Sequence, residues 1–374
     1  MKTNSEPLIN VIDLLIKKAF PFAVYQYPGS GEICIIAQSE PVHLVYNIDE
    51  ICNLNGFLIA PFESVKTGLG YFIRNDLFAC ESKGFEDILN KIKKTVSVNK
   101  PNGFMPACEM TRDEYLEMAE FVIEKLKRKQ LAKVVMSRVI SLKREKSFSV
   151  SDFFLKLAEK YKGAFVYLFF IPDSGMWVGA TPEILLSRKK NGDVVIMSLA
   201  GTAKIEKGKN IIWGSKEKEE QQYVSDYISH QLKKLGIEEF YEGPVKTVAA
   251  GHIAHLQTIF EVKAEQLEDK TGSLIKGLHP TPAVCGLPKT NAYKIIQAFE
   301  KHDRRFYTGY LGPWKLNGRS DLFVNLRCAE ITSDNINLYV GGGFTADSIP
   351  EKEWEETELK AQTLIKVINK ENKT

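Results

Sequence analysis

The chain predicts an α+β fold with large antiparallel β-sheets. Two observations carry this. Strand-like segments follow one another in runs, without the helix after each strand that a doubly wound parallel sheet needs. Helices with a strong apolar stripe are few and widely spaced. In the first hundred residues, short strand-like runs such as Glu32 to Ala37 and Val42 to Tyr46 are broken up by Gly and Pro. A polar stretch, Asn99-Lys100-Pro101-Asn102-Gly103, marks a boundary, so residues 1–105 read as an N-terminal part of the fold without a motif, and residues 106–374 as the region that carries the chemistry. At Thr111 a helix begins: Thr111 and Glu114 have capping-box spacing, and Tyr115, Met118, Phe121, Val122 and Leu126 recur at helical intervals. Ala132 to Leu142 is rich in β-branched residues and reads as a strand. Further strands are expected at 164–171, 183–188, 194–199, 321–331 and 336–340. Two more helices are expected, at 216–235 and 350–369.

Composition bounds the function. Lys+Arg is 50 and Asp+Glu is 47 among 374 residues, so the net charge of +3 gives no field for steering nucleic acid. The longest uncharged apolar stretch, Ala164 to Pro172, is less than half of the ~20 residues a membrane span needs. Met1 to Glu6 lacks the apolar core of a signal peptide. Six scattered cysteines form no CxxC, which excludes a zinc ribbon or a dithiol redox motif and predicts reduced, buried thiols in a cytoplasmic protein. No nucleic acid, membrane or obligatory protein partner is expected.

The last helix breaks its own pattern. At about 100° per residue, Glu355, Glu358, Gln362, Lys366 and Asn369 share the solvated side, and Trp354, Ala361, Leu364, Val367 and Ile368 the other. Glu353, Glu356 and Lys360 fall among the apolar residues, where ionisable groups are costly unless paired or bound. A Glu356–Lys360 pair at i,i+4 would account for part of this. The helix after Ser215 repeats the anomaly: Glu217 and Glu220 lie on or beside a stripe of Val224, Tyr227, Ile228 and Leu235, while Glu219 and Asp226 point away. Two inward E-x-x-E pairs, without a matching number of basic partners, suit a hard divalent cation such as Mg²⁺.

Other features speak more softly. His252 and His255 at i,i+3 lack a third ligand, so zinc is not expected. Gly201-Thr202 and Gly341-Gly342-Gly343 follow strands, as tight turns or as places where backbone approaches an anion. Lys133 sits inside an apolar strand, as an edge lysine would or as a functional one.

A series of segments is more specific. Lys133-Val134-Val135-Met136-Ser137-Arg138, Gly179-Ala180-Thr181-Pro182-Glu183 and Leu199-Ala200-Gly201-Thr202-Ala203 occur in that order. His279-Pro280-Thr281-Pro282-Ala283, Phe306-Tyr307-Thr308-Gly309, Leu326-Arg327 and Gly341-Gly342-Gly343 follow, then Glu353-Trp354-Glu355-Glu356-Thr357 and Lys360. From about Thr111 onward the chain resembles the chorismate-utilising enzymes: isochorismate synthase, salicylate synthase, anthranilate synthase component I and aminodeoxychorismate synthase. That resemblance implies large antiparallel sheets packed face to face, helices outside and the site between them. Anthranilate synthases carry glutamine where Lys133 stands, and aminodeoxychorismate synthases a nucleophilic lysine where Ala200 stands. Lys133 with Ala200 resembles isochorismate synthase, or a salicylate synthase that goes on to eliminate pyruvate.

The resemblance also implies roles. Lys133 is the general base that activates water for C2 of chorismate, which requires a neutral amine. Glu183 is the general acid toward the C4 hydroxyl, which requires a protonated carboxyl. Glu220 and Glu356 hold Mg²⁺, with Glu217 and Glu353 assisting through water. Tyr307, Arg327 and the Gly341 N–H receive the enolpyruvyl carboxylate, Gly201, Thr202 and His255 line the ring site, and Lys360 balances charge. Gln221 departs from the family's E-H pattern but leaves the carboxylate of Glu220 in place. Isochorismate synthase, in menaquinone or siderophore supply, is the expected activity. Salicylate synthase, anthranilate synthase and a non-catalytic chorismate-binding regulator are the alternatives, the last disfavoured because a binder needs no acid–base pair.

Overall fold

A computed structural model describes residues 5–40, 42–45, 47–95, 108–205, 210–250, 253–267 and 269–371. Two antiparallel sheets make up its centre. The first has nine strands in the order Gly286–Leu287, Lys133–Lys143, Asn335–Phe344, Cys328–Ile331, Gly175–Thr181, Phe165–Ile171, Phe22–Gln26, Ile33–Ala37 and Leu77–Ala79. The second has ten. Nine run in the order Tyr241–Glu242, Ile253–Val262, Val194–Lys204, Ile184–Arg188, Ser320–Val324, Tyr310–Trp314, Gly56–Ala60, Gly70–Arg74 and His43–Val45, and Lys246–Ala250 also pairs with Ile253–Val262.

The sheets pack face to face through an aromatic layer. Phe165 of the first stacks on Phe323 of the second with ring centroids 4.0 Å apart, and Tyr25, Phe57, Trp177 and Phe306 join the same buried cluster. Such ring pairs add roughly 0.5–1.5 kcal/mol beyond their buried area. Helices cover the outer faces. Glu6–Lys17, Ser82–Lys93, Val150–Lys160 and Pro350–Glu371 pack on the first sheet, and Ser215–Lys234 and Thr271–Leu278 on the second.

The N-terminal strands belong to this same body. Phe22–Gln26 pairs with Phe165–Ile171 in the first sheet, and Gly56–Ala60 with Tyr310–Trp314 in the second. The expected boundary at Asn99 to Gly103, and the division at residue 105, lie outside the described residues. So does Tyr46, at the end of one expected strand.

Most expected elements form, and three differ instructively. The Thr111 capping box is present, starting the helix Arg112–Lys127. The segment 321–331 is two strands, Ser320–Val324 and Cys328–Ile331, in different sheets. The chain crosses between sheets at Asn325-Leu326-Arg327, with Arg327 in the left-handed region at φ 49°. A run of strand-forming residues looks the same whether it stays in one sheet or changes sheet. Buried Asn325 pins the crossing: its Nδ2 donates to the Phe306 carbonyl at 2.8 Å, and its Oδ1 accepts from the Tyr167 hydroxyl. Second, Gly341, Gly342 and Gly343 are not a turn. They continue the strand Asn335–Phe344, opposite Ser137, Met136 and Val135. Third, Cys34 and Cys80 form a disulfide, so the thiols are not all reduced; Cys52, Cys108, Cys285 and Cys328 are free. The register that pairs Ile35 with Ala79 sets Cys34 opposite Cys80, a juxtaposition that a separation of 46 residues conceals. No helix among the described residues is long and apolar enough to cross a membrane.

Candidate active site

Lys133 begins the strand Lys133–Lys143, which lies between Gly286–Leu287 and Asn335–Phe344, so it is no edge lysine. It is 1% exposed. The neighbouring strand makes room for it. A Cβ on Gly343 would come within 3.1 Å of Lys133 Cε and 3.2 Å of a Glu220 oxygen. A Cβ on Gly342 would meet Glu353 Oε2 at 3.1 Å, and one on Gly341 would meet the Tyr307 hydroxyl at 2.9 Å. Gly341 and Gly343 thus leave room in the strand for groups that line the cavity, and Gly342 leaves room for Glu353.

Across the cavity, the strand Val194–Lys204 carries a register shift between Ala200 and Ala203, with Gly201 at φ 68°. A Cβ there would press on Glu217 Cβ at 3.1 Å. The kink turns the Gly201 carbonyl toward His255, whose Nδ1 is 2.6 Å away. A carbonyl only accepts, so Nδ1–H donates. Nε2 is then left to accept from Arg327 Nη2, also at 2.6 Å. Burial, with Arg327 beside it, pushes the His255 ring down to about 3, so it is neutral as this pairing requires. Burial also lowers Arg327, to about 10, which leaves it charged at neutral pH.

Glu183, 2% exposed, lies between the strands Gly175–Thr181 and Ile184–Arg188. Burial pushes its carboxyl up to about 8, against the pull of Lys133, Arg327 and Lys360. Its Oε1 is buried without a hydrogen-bond partner. A protonated carboxyl with unspent capacity, facing a cavity, can deliver a proton.

The two helices expected to aim carboxylates inward do so. Glu220 and Glu353 are buried, Glu356 is half-buried, and Glu219 and Asp226 are exposed. Glu358, expected on the solvated side, is only partly exposed and pairs with Arg138. The expectation of too few basic partners fails. Lys360 Nζ lies 2.7 Å from Glu356 Oε1, as the i,i+4 spacing allowed, and it also donates to the Gly341 carbonyl at 2.8 Å. Lys133 Nζ lies 3.7 Å from Glu220 Oε2. Lys216, not singled out in the sequence, lies 2.5 Å from Glu353 Oε1 and 3.8 Å from Glu220 Oε1.

These carboxylates still have oxygens to spare. Glu353 Oε2 is buried with no partner, and burial together with repulsion from Glu356 raises the Glu353 carboxyl. An all-oxygen donor set with an orphaned buried oxygen suits a hard divalent cation. No three of the Glu217, Glu220, Glu353 and Glu356 carboxylates bring ligand oxygens within 4.8 Å of one another. Among the described residues, the group of His, Cys, Asp and Glu ligand atoms lying within 4.8 Å of one another is Glu32, Cys34 and Cys80, whose sulfurs are joined in the disulfide.

One cavity gathers Lys133, Glu183, Gly201, Thr202, Glu220, His255, Tyr307, Arg327, Gly341, Glu356 and Lys360. Glu217 and Glu353 line an adjoining recess that Glu356 shares. Glu217 Oε2 accepts from the Gly214 N–H at 3.0 Å, so its carboxylate caps its own helix. His252 lies outside the described residues. Behind the cavity, sequence reading missed Arg304, 3% exposed. It donates to the Val135 and Val284 carbonyls, to Thr308 Oγ1 and to both oxygens of Glu300. The i,i+4 spacing of Glu300 with Arg304, and of Lys216 with Glu220, was a visible signal, but surface pairs share it.

Residues 76–369 match the family model described as chorismate binding enzyme, and the chain belongs to that family. It is 24% identical over 328 residues to the vibriobactin-specific isochorismate synthase of Vibrio cholerae, covering 85% of this chain and 80% of that one. It is 27% identical over 320 residues to an isochorismate synthase of Haemophilus influenzae, covering 82% and 72%. Among solved structures, the menaquinone-specific isochorismate synthase of Escherichia coli is similar in fold, with a TM-score of 0.75 at 19% identity, covering 93% of this chain and 88% of that one.

Proposed function

We propose that this chain is a Mg²⁺-dependent isochorismate synthase, located in the cytoplasm, that adds water at C2 of chorismate and removes the C4 hydroxyl. The observation that supports it most is the buried Glu183, its carboxyl pushed up to about 8 by burial, in one cavity with the buried Lys133. Lys133, as the neutral amine, takes a proton from the attacking water as its oxygen bonds to C2. Both ring double bonds shift, C1=C2 to C1=C6 and C5=C6 to C4=C5, and the C4–O bond breaks as Glu183 gives its proton to the departing hydroxyl. Water enters and water leaves, so substrate and product are isomers.

Arg327 presents a planar cationic fork to the enolpyruvyl carboxylate, beside the Tyr307 hydroxyl and the Gly341 backbone. His255, neutral and hydrogen-bonded on both ring nitrogens, fixes Arg327 in that orientation. Thr202 and Gly201 face the ring. Glu220 and Glu356 would hold Mg²⁺, with Glu353 and Glu217 assisting, and the bound cation would neutralise the ring carboxylate. Lys360 balances the charge of Glu356.

The test is the product formed from chorismate in ¹⁸O-water with Mg²⁺. Isochorismate labelled at C2 is expected. Unlabelled isochorismate would remove the roles of Lys133 and Glu183. Anthranilate formed with added ammonium, or salicylate and pyruvate accumulating with enzyme dose, would move the assignment to the corresponding relatives.

A further inference from the structure

Lys216 has no part in the chemistry above, yet it stands in the middle of the acidic cluster. It starts one turn before Glu220 on the helix Ser215–Lys234 and reaches Glu353 on the helix Pro350–Glu371. One ammonium therefore ties together the two helices that carry the carboxylates. The other two lysines of the cluster line the cavity itself: Lys360 donates to Gly341, and Lys133 shares the cavity with Glu183. Lys216 lines the adjoining recess with Glu217, Glu353 and Glu356. Its side chain is 23% exposed, so the flexible stem has a way out to water.

Three inward carboxylates repel one another unless a cation stands between them. A lysine side chain is a mobile single charge and Mg²⁺ a compact double one, and both seek the same oxygens. Two such cations within about 4 Å repel strongly in a partly buried site.

The geometry points to Lys216 as the built-in counter-ion of this cluster, holding Glu353 and Glu220 together in the metal-free chain and displaced when a divalent cation enters. The inference rests on the cation reading of the preceding subsection. It gives the chain a metal affinity set by competition with its own ammonium. Charge balance in the metal-free state keeps the two helices together, and metal entry releases a side chain into the recess.

Mg²⁺ is titrated calorimetrically into the full chain as wild type, Lys216→Met and Lys216→Arg, and thermal unfolding of each is followed in EDTA and in Mg²⁺. The Met variant should bind Mg²⁺ about tenfold tighter, since its competitor is gone. It should also melt lower than wild type in EDTA and show a larger Mg²⁺-induced rise. The Arg variant should stay within about twofold of wild type in affinity, because it keeps the charge. Unchanged or weaker Mg²⁺ binding by the Met variant, with wild type binding normally, overturns the role of Lys216 alone. An Arg variant that shifts as far as the Met variant does so too, because packing rather than charge would then be responsible. Wild type and both variants failing alike to bind Mg²⁺ removes the cation reading itself, and the displacement with it.

Discussion

Two buried ionic clusters lie back to back in this protein, and they are built on opposite principles. Behind the cavity, Arg304 and Glu300 are fully occupied. The guanidinium makes five hydrogen bonds to backbone and side chains, and Glu300 also accepts from the Ser137 N–H at 2.7 Å and the Ser137 hydroxyl at 2.8 Å. In the cavity and the recess adjoining it, Glu183 and Glu353 each keep a buried oxygen without a partner. Burial of charge is common to both. The unspent atoms differ in kind: carboxylate oxygens on the cavity side, and behind it the Nδ1 of His302 beside the saturated Glu300 and Arg304. A saturated cluster fixes walls, and an unsaturated one is poised for a ligand or a proton transfer.

The comparison can be broken at either end. Glu220→Ala and Glu356→Ala should each abolish turnover while circular dichroism shows a folded chain, and EDTA should silence the wild type reversibly. Full activity of either variant at limiting Mg²⁺ would mean that these carboxylates only balance lysines. Arg304→Met should behave in the opposite way, with stability as the first casualty. Removing one partner of a buried ion pair costs about 3–5 kcal/mol, read as a lower denaturant midpoint. A stable Arg304→Met chain with poor turnover would place Arg304 on the reactive side of the comparison.

Smaller in scale, Lys133→Ala and Glu183→Gln should lower the rate at least ~10²-fold while substrate still binds. The pH dependence sharpens this. With its carboxyl at about 8, Glu183 is a proton donor below that pH, so kcat/KM should fall above pH 8. Stability follows the same group. The folded chain holds the Glu183 proton and the unfolded chain, with an ordinary value of 4.5, releases it earlier. Its contribution to stability therefore declines as pH rises from about 4.5 to about 8, and Glu183→Gln should flatten that decline. A Gln variant with the wild-type profile in both measurements would assign the titration elsewhere. The smallest effect tests ordinary local structure: Thr111→Ala should cost about 1 kcal/mol through the lost cap, with unchanged kcat.

How much of this was legible in sequence depends on whether the cause is local. Helical periodicity alone put Glu220, Glu353 and Glu356 on inward faces, because the angle between side chains on a helix is set by the backbone. The capping box at Thr111 needs three residues and no tertiary contact. The ordered series of motifs located Lys133, Glu183, Tyr307 and Arg327. Tertiary structure decided what those residues meet. Lys216 opposes Glu353 across 137 residues of chain. The run 321–331 divides between two sheets because Asn325 finds Tyr167 and Phe306, an arrangement made by sheet packing. Gly341 to Gly343 stay in a strand because they pair with Ser137, Met136 and Val135, and Lys133, Glu353 and Tyr307 take the space a Cβ would fill. Cys34 meets Cys80 because the register of neighbouring strands sets them opposite. Periodicity and caps follow from backbone geometry within a few residues. Which charge neutralises which, and which oxygen is left unspent, depends on contacts between segments far apart in the chain, and these exist only once the sheets have closed on each other.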